Sequence, residues 1–131
     1  MNEYDKNSVK ILIVDDNDVN RILIRKIFEK TGYDFEIAGS GPDALEAFNS
    51  DFFTIVFMDI QMPAMDGYEV AGILREKFKS EARKPFIVAL TANSLSGERE
   101  RCLENGMNEY LAKPFSANDV RNMIDKSLNI N

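Results

Sequence analysis

The sequence predicts an α/β fold in which five parallel strands form one doubly wound sheet with helices on both faces. Short apolar runs alternate with longer segments whose apolar residues recur at helical spacing. Five strand-then-helix units in strict alternation are typical of a parallel sheet. The chain of 131 residues has the usual size of one domain, so we assign a single domain to residues 1–131, with its core over about 8–128.

The strand candidates are five short segments. The first, third and fourth are continuously apolar, as strands covered on both faces must be. The second alternates apolar and polar residues and the fifth is short, and both properties suit the edges of a sheet. The candidates are Ile11–Val14, Phe35–Ile37, Ile55–Met58, Phe86–Leu90 and Tyr110–Ala112.

Helical periodicity between the strands predicts five helices, and residues at several of their ends support the assignment. Pro42 stands in a first turn, where its missing N–H costs nothing. Asp66 can cap the third helix, and Ser116 with Asp119 resembles a capping box. The helix candidates span residues 17–31, 41–50, 66–79, 95–105 and 116–129.

The composition excludes several classes of function. A net charge of −6 argues against direct binding to nucleic acid, which requires a basic surface. No apolar run is long enough to cross a membrane, so we expect no membrane contact. The polar, acidic first residues do not resemble a signal peptide, and the single cysteine, Cys102, cannot form an internal disulfide. We therefore expect a cytoplasmic protein. Histidine is absent from the sequence, which excludes histidine catalysis.

Polar side chains follow four of the five strands, at the point where each strand ends. Because crossovers between parallel strands are right-handed, the carboxyl ends of the strands share one edge, where ligands bind. The sequence therefore predicts one site built from three carboxylates, a hydroxyl and an ammonium group. These residues are Asp15 and Asp16 after the first strand, Asp59 after the third, Thr91 after the fourth and Lys113 after the fifth.

The chemistry of this predicted site favours a divalent cation beside a phosphate. Two carboxylates about 4 Å apart repel by about 4 kcal/mol at an effective dielectric constant of about 20, so three of them require a cation. Hard oxygen ligands favour Mg²⁺ over zinc or copper. The Lys113 ammonium and the Thr91 hydroxyl can contact phosphoryl oxygens. A remaining carboxylate can act as a nucleophile without a general base.

These segments together resemble the receiver domains of two-component response regulators, over essentially the whole chain. The similar segments are Val14–Asn17, Met58–Pro63, Met65–Gly67, Leu90–Ala92 and Tyr110–Phe115. Residues 16–20 and 106–110 look most like receivers fused to hybrid sensor histidine kinases. The resemblance implies a flavodoxin-like fold with three αβα layers and the strand order 2-1-3-4-5.

The resemblance also implies a role for each residue of the site. Asp59 would be the phosphoacceptor in a Mg²⁺-dependent transfer from a phosphohistidine, and the module would then switch conformation to pass on the signal. Asp16 and Asp59 would bind Mg²⁺, together with Asp15, largely through water, and the Gln61 main-chain carbonyl. Such a module assists its own phosphorylation and dephosphorylation and is otherwise not an enzyme.

The remaining implied roles concern the phosphoryl oxygens and the switch. Thr91 and Lys113 would hold those oxygens, with a cis Lys113–Pro114 bond directing the lysine into the site. Thr91 would move toward the phosphoryl group and Tyr110 would turn inward behind it. Asn93, like Gln61, occupies a position that tunes attack by water on the acyl phosphate.

The implied partner is a histidine kinase or a histidine phosphotransfer protein that docks on the first helix. Ile22, Leu23 and Ile24 are consecutive there and span about 200° of the helix circumference, more than one buried stripe needs. We therefore expect at least one of the three side chains to be exposed and to form a docking surface.

Parts of the sequence also match three other classes of protein. A small Mg²⁺-dependent phosphatase with an aspartate nucleophile uses a similar residue set, but such enzymes usually have Asp-x-Asp, and Gln61 stands two residues after Asp59. The glycine-rich segment 39–44 matches a dinucleotide-binding pattern but follows the second strand, not the first. Residues 16–20 begin like a calcium loop, which then has Arg21 where glycine is needed.

Overall fold

The computed structural model of the chain describes residues 8–92 and 97–129, and it contains one five-stranded sheet in which all neighbouring strands are parallel. The strand order is β2-β1-β3-β4-β5, so the predicted doubly wound topology is confirmed. The second and fifth strands form the edges, also as predicted. The strands are β1 (Lys10–Val14), β2 (Asp34–Ala38), β3 (Ile55–Asp59), β4 (Phe86–Thr91) and β5 (Glu109–Ala112).

Five helices cover the two faces of this sheet. The first and fifth pack on one face and the other three pack on the opposite face, which gives three αβα layers. No helix in the described part of the chain is both long and apolar enough to cross a bilayer. The helices are α1 (Asp18–Glu29), α2 (Gly41–Ser50), α3 (Gly67–Lys77), α4 (Glu98–Glu104) and α5 (Ala117–Leu128).

The central strands are apolar throughout because successive side chains point to opposite faces and both faces are covered. In β1, Ile11 and Ile13 pack against α1 and α5, whereas Leu12 and Val14 pack in the cluster that contains α2 and α3 residues. All five residues of β3 are buried. The ends of β1 and β3 are therefore held by packing on both sides as well as by strand pairing.

Capping residues set where the helices begin, and most agree with the sequence. Asp66 forms a reciprocal capping box with Glu69 at the start of α3. The predicted box of Ser116 and Asp119 is also present, with aspartate in the position that usually carries glutamate or glutamine. The first helix is shorter than predicted at both ends, because Asn17 is its N-cap and Lys30 is its C-cap.

The predicted fourth helix, 95–105, is wrong at its beginning. Residues 95 and 96 lie outside the described part of the chain, and Gly97 has φ 93°, a left-handed conformation that is not helical. The helix therefore begins at Glu98, directly after Gly97, whose left-handed backbone conformation favours glycine. Its end, near Asn105 and Gly106, agrees with the prediction to within a residue.

Two glycines of α3 should respond oppositely to alanine. A Cβ at Gly67 would lie 2.5 Å from the Asp59 carbonyl oxygen and 2.9 Å from the Ile60 Cα, whereas a Cβ at Gly72 meets nothing within 4 Å. We expect Gly67→Ala to lower the free energy of unfolding by about 1–3 kcal/mol through overpacking. Gly72→Ala should raise it by about 0.5–1 kcal/mol, because alanine restricts the unfolded chain and favours helix. Urea unfolding of both variants tests the pair, and an unchanged stability of Gly67→Ala would contradict the close packing.

Candidate metal and phosphate site at the carboxyl edge of the sheet

Three carboxylates meet at the carboxyl ends of β1 and β3. One oxygen each from Asp15, Asp16 and Asp59 lies within 4.8 Å of the other two. Asp15 is fully buried and Asp59 is 8% exposed. Close, mostly buried carboxylates repel one another, and their oxygens are the ligands that Mg²⁺ prefers. The donor set that the structure brings together therefore fits a magnesium ion.

The Lys113 side chain provides positive charge to this cluster. The Lys113 Nζ lies 3.4 Å from Asp15 Oδ2 and 3.7 Å from Asp59 Oδ2. The Lys113–Pro114 peptide bond is cis, as predicted, and the Lys113 N–H donates to the Thr91 carbonyl over 2.8 Å. Lys113 directly follows the edge strand β5, and its ammonium group reaches the acids from there.

The environment of Asp59 determines the properties of its carboxylate. Burial raises its pKa above the ordinary value, the positive charge of Lys113 lowers it, and the negative charge of Asp15 raises it, with a net upward shift. The Gln61 main-chain N–H donates to Asp59 Oδ1 over 3.1 Å. One carboxylate oxygen is thus engaged by the backbone and the other faces Lys113.

Asp15 is held at both its backbone and its side chain. Its N–H donates to the Ala38 carbonyl at 3.1 Å, so the hydrogen bonding between β1 and β2 continues one residue beyond the strands. Its Oδ1 accepts from the Asn17 N–H at 2.9 Å, and its Oδ2 faces Lys113. Its carboxylate is therefore fixed in place before any ligand binds.

A hollow of about 250 Å³ opens beside these acids. The predicted Asp16, Asp59, Gln61, Thr91 and Lys113 all line it. Its polar lining, with charges of both signs, is suited to a hydrated cation and a phosphoryl group. The other lining residues are Asn17, Asn20, Ile60, Leu90 and Ala92.

Two asparagines of this hollow were not singled out as site residues from the sequence. Asn20 lies in the first turn of α1, three residues after the N-cap Asn17. Asn17 caps that helix through its side chain, which accepts from the Asn20 N–H at 2.8 Å. The available signal for Asn20 was its place in the first turn of the helix that directly follows the carboxyl end of β1.

The two residues predicted to switch lie on neighbouring strands. Thr91 ends β4, is 7% exposed and lines the hollow. Tyr110 lies on β5, is half-buried and packs against the apolar cluster under α3 and α4. Asn93, which was expected to tune dephosphorylation, lies outside the described residues.

The first helix exposes apolar side chains, as predicted. Ile22 is 60% exposed and Leu23 is 54% exposed, whereas Ile24 is 4% exposed and belongs to the core. Val19, 65% exposed, lies one turn earlier. We call Val19, Ile22 and Leu23 the α1 apolar surface.

The glycine-rich segment after β2 makes a turn from strand to helix. The Ser40 side chain accepts from the Asp43 N–H and caps α2, and Pro42 lies in the first turn of that helix. The segment follows the edge strand β2 rather than the central strand β1, and it does not line the hollow beside Asp59. The dinucleotide interpretation is not supported by this geometry.

Solved structures with the same fold include receiver domains. The receiver domain of the sensor histidine kinase PA1611 from Pseudomonas aeruginosa, solved with a magnesium ion in its active-site cleft, is 33% identical with a TM-score of 0.79 and covers 92% of this chain and 97% of that one. The receiver domain of Ssk1 from Saccharomyces cerevisiae, solved with the histidine phosphotransfer protein Ypd1, is 27% identical with a TM-score of 0.82, over 90% and 87% of the two chains.

Curated relatives and a family comparison agree with this likeness. Hybrid signal transduction histidine kinase K of Dictyostelium discoideum is 35% identical over 95% of this chain, and the sensor histidine kinase RcsC of Escherichia coli is 34% identical over 89% of it. The chain spans only 11% and 12% of the lengths of these two relatives. Residues 11–125 match the family described as the response regulator receiver domain. The chain belongs to the response regulator receiver domain family.

Proposed function

We propose that Asp59 accepts a phosphoryl group from a phosphohistidine donor and that the domain then changes conformation to pass on the signal. The observation that carries the proposal is the cluster of three carboxylates from Asp15, Asp16 and Asp59 beside the Lys113 ammonium group. Asp16, Asp59 and Lys113 line one hollow, and Asp15 is buried next to them. Asp59 is mostly buried but lines that hollow, so an incoming phosphoryl group can reach its carboxylate, as a nucleophile requires. The domain would work in the cytoplasm, where phosphoryl groups that originate from ATP are available.

The residues that would hold Mg²⁺ are Asp15, Asp16, Asp59 and the Gln61 main-chain carbonyl. The first three are supported by the distances among their oxygens, and Gln61 by its place in the lining of the hollow. When bound, the ion would offset the negative charge shared by the carboxylates and the transferred phosphoryl group.

The protein groups would act by position and charge. An Asp59 oxygen would form a bond to phosphorus as the phosphorus–nitrogen bond of the donor breaks, with its electron pair left on the imidazole nitrogen. The Lys113 Nζ lies 3.7 Å from Asp59 Oδ2. During transfer it would contact the phosphoryl oxygens instead and stabilise their negative charge. The Gln61 N–H would keep the other carboxylate oxygen in place.

The conformational response would run from β4 to β5. Thr91 would donate to a phosphoryl oxygen and shift toward Asp59, and Tyr110 would turn inward into the space that opens behind it. The two strands pair at Thr91–Ala112 and Ala89–Tyr110, so a shift of the Thr91 region is transmitted directly to β5. Such a response is a population shift between two arrangements of the same edge.

The donor would dock on the α1 apolar surface. An apolar hollow of about 330 Å³ adjoins it and is lined by Leu23, Pro114 and Phe115 among others. Large apolar groups beside a polar site suit a helical partner that must place one histidine near Asp59. The complex of the related Ssk1 receiver with Ypd1 supports a histidine phosphotransfer protein or a kinase as this partner.

Replacement of Asp59 tests the phosphoacceptor assignment. With acetyl phosphate and Mg²⁺, the wild-type chain should gain one phosphoryl group, located at Asp59 by peptide mass spectrometry. Asp59→Asn should reduce labelling to background, because the amide is a poor nucleophile. Asp43→Asn, which alters an exposed carboxylate on α2, should label like wild type. Wild-type labelling of Asp59→Asn would contradict the assignment, and repeated turnover of a phosphomonoester would favour the phosphatase.

Replacement of Thr91 separates labelling from switching. We expect Thr91→Ala to be labelled at a rate within about tenfold of wild type, because Lys113 and the acids remain. The chemical-shift change of the Tyr110 amide on phosphorylation should fall by more than half, while Thr91→Ser, which keeps the hydroxyl, should retain most of it. A full Tyr110 response in Thr91→Ala would contradict the proposed route.

Charge placed in the α1 apolar surface tests docking. Leu23→Asp should slow phosphoryl transfer from a phosphorylated histidine phosphotransfer protein by about tenfold or more, because a carboxylate would be buried without a partner. Labelling by acetyl phosphate should not change. Ile73→Asp is the matched control, since Ile73 is 44% exposed on α3, across the sheet from α1. Equal effects of the two variants on transfer would contradict docking on α1.

A further inference from the structure

Arg21 contacts the backbone of the segment that carries two of the three acids. It lies in α1, and its Nη1 donates to the Asp15 carbonyl oxygen over 2.8 Å. Its Nη2 pairs with Asp18, whose side chain is 88% exposed. The exposed pair contributes little to stability, so the contact with Asp15 is the structurally important one.

The Asp15 carbonyl belongs to the peptide unit that joins Asp15 to Asp16. The orientation of this unit determines where both side chains begin. The Ala38 carbonyl holds the N–H on one side of Asp15, and Arg21 holds the carbonyl on the other. This peptide unit lies just beyond the end of β1 at Val14. Without Arg21, its carbonyl would lose the hydrogen bond from the guanidinium group.

Gly39 provides an independent observation. A Cβ at Gly39 would lie 3.2 Å from the Arg21 Nη1 and 3.5 Å from its Cζ, and no other neighbour lies within 4 Å. The backbone of Gly39 does not have positive φ, so its conformation does not require glycine. The missing side chain at the end of β2 thus leaves the space that the Arg21 guanidinium occupies.

We propose that Arg21 is a positioning residue for Mg²⁺ binding, which acts by holding the Asp15–Asp16 peptide unit in the orientation that ligation needs. This inference rests on the proposed function, since it assumes that the acids bind Mg²⁺. Residues that orient metal ligands typically change metal affinity by about 10–100-fold when they are replaced. Arg21 has this role without contacting the metal.

The sign of the effect distinguishes positioning from charge. If Arg21 acted only as a nearby positive charge, its removal would strengthen the binding of a cation. If it positions the ligands, its removal weakens binding. The Mg²⁺ dissociation constant of the unphosphorylated protein, measured by titration of backbone amide chemical shifts, reports this without any phosphoryl transfer.

Arg21→Ala should raise the Mg²⁺ dissociation constant by about tenfold or more. Arg25→Ala is the matched control, because it removes the same charge one turn later on α1, where the guanidinium carbon lies 5.8 Å from the centre of the Phe35 ring. It should stay within about twofold of wild type. Asp18→Asn removes the exposed pair but leaves the Asp15 contact, and it should also be neutral. Arg21→Lys keeps the charge and should still weaken binding.

Gly39→Ala tests the same contact from the other side. We expect it to weaken Mg²⁺ binding by about two- to threefold, because the guanidinium must move by a few tenths of an ångström. In the Arg21→Ala background the same change should have no effect, since the two residues act through one contact. Additive effects of the two changes would overturn this part of the inference.

The outcomes separate the inference from the proposed function. If the wild-type chain binds Mg²⁺ and folded Arg21→Ala binds it equally or more tightly, the positioning role is overturned and the proposed function stands. If the wild type itself shows no Mg²⁺ binding, both are overturned. Should Arg21→Ala fail to fold, Arg21→Lys and Gly39→Ala decide the question by the same titration.

Discussion

The mutual repulsion of three carboxylates at one edge of the sheet is the constraint on which the rest of the site depends. Asp15, Asp16 and Asp59 have oxygens within 4.8 Å of one another, and two of the residues are mostly buried. Among the described residues, Lys113 is the cation that forms ion pairs with the acids of this cluster. Main-chain N–H groups from Asn17 and Gln61 add hydrogen bonds to the ionised forms. The fold thus holds excess negative charge that a divalent cation can neutralise.

The acids and the lysine come from different parts of the sheet: the acids from its centre and the lysine from its edge. Val14 pairs with Met58 in the centre, so Asp15 and Asp59 continue two adjacent strands that are buried on both faces. Lys113 follows an edge strand and reaches the acids with a long side chain. In the proposed function, the fixed acids and the long lysine side chain would let Lys113 move its contact from a carboxylate to a phosphoryl oxygen.

The fold, and the set of polar residues that the structure brings together at one edge, could be predicted from the sequence because both depend on local signals. Apolar runs predicted four of the strands and an alternating pattern predicted β2. Polar residues directly after four of the strands predicted the group that the structure brings together, namely Asp15, Asp16, Asp59, Thr91 and Lys113. Contacts between a side chain and a distant backbone could not be predicted. The Arg21 contact with Asp15 is an example, because it depends on how the first turn of α1 is placed relative to the end of β1. The left-handed conformation of Gly97, which sets the first residue of α4 at Glu98, was likewise not predicted. Such contacts have no fixed spacing, so periodicity carries no information about them.

The first helix carries residues of both the proposed docking surface and the site. Leu23 belongs to the apolar hollow beside Pro114, and that hollow shares Asn20 and Lys113 with the polar hollow beside Asp59. A donor on α1 would therefore lie next to the phosphoacceptor without covering it. Arg21, on the same helix, turns back to the end of β1. Because docking and ligand positioning use neighbouring residues of α1, slower transfer in an α1 variant identifies a docking defect only when Mg²⁺ affinity is unchanged.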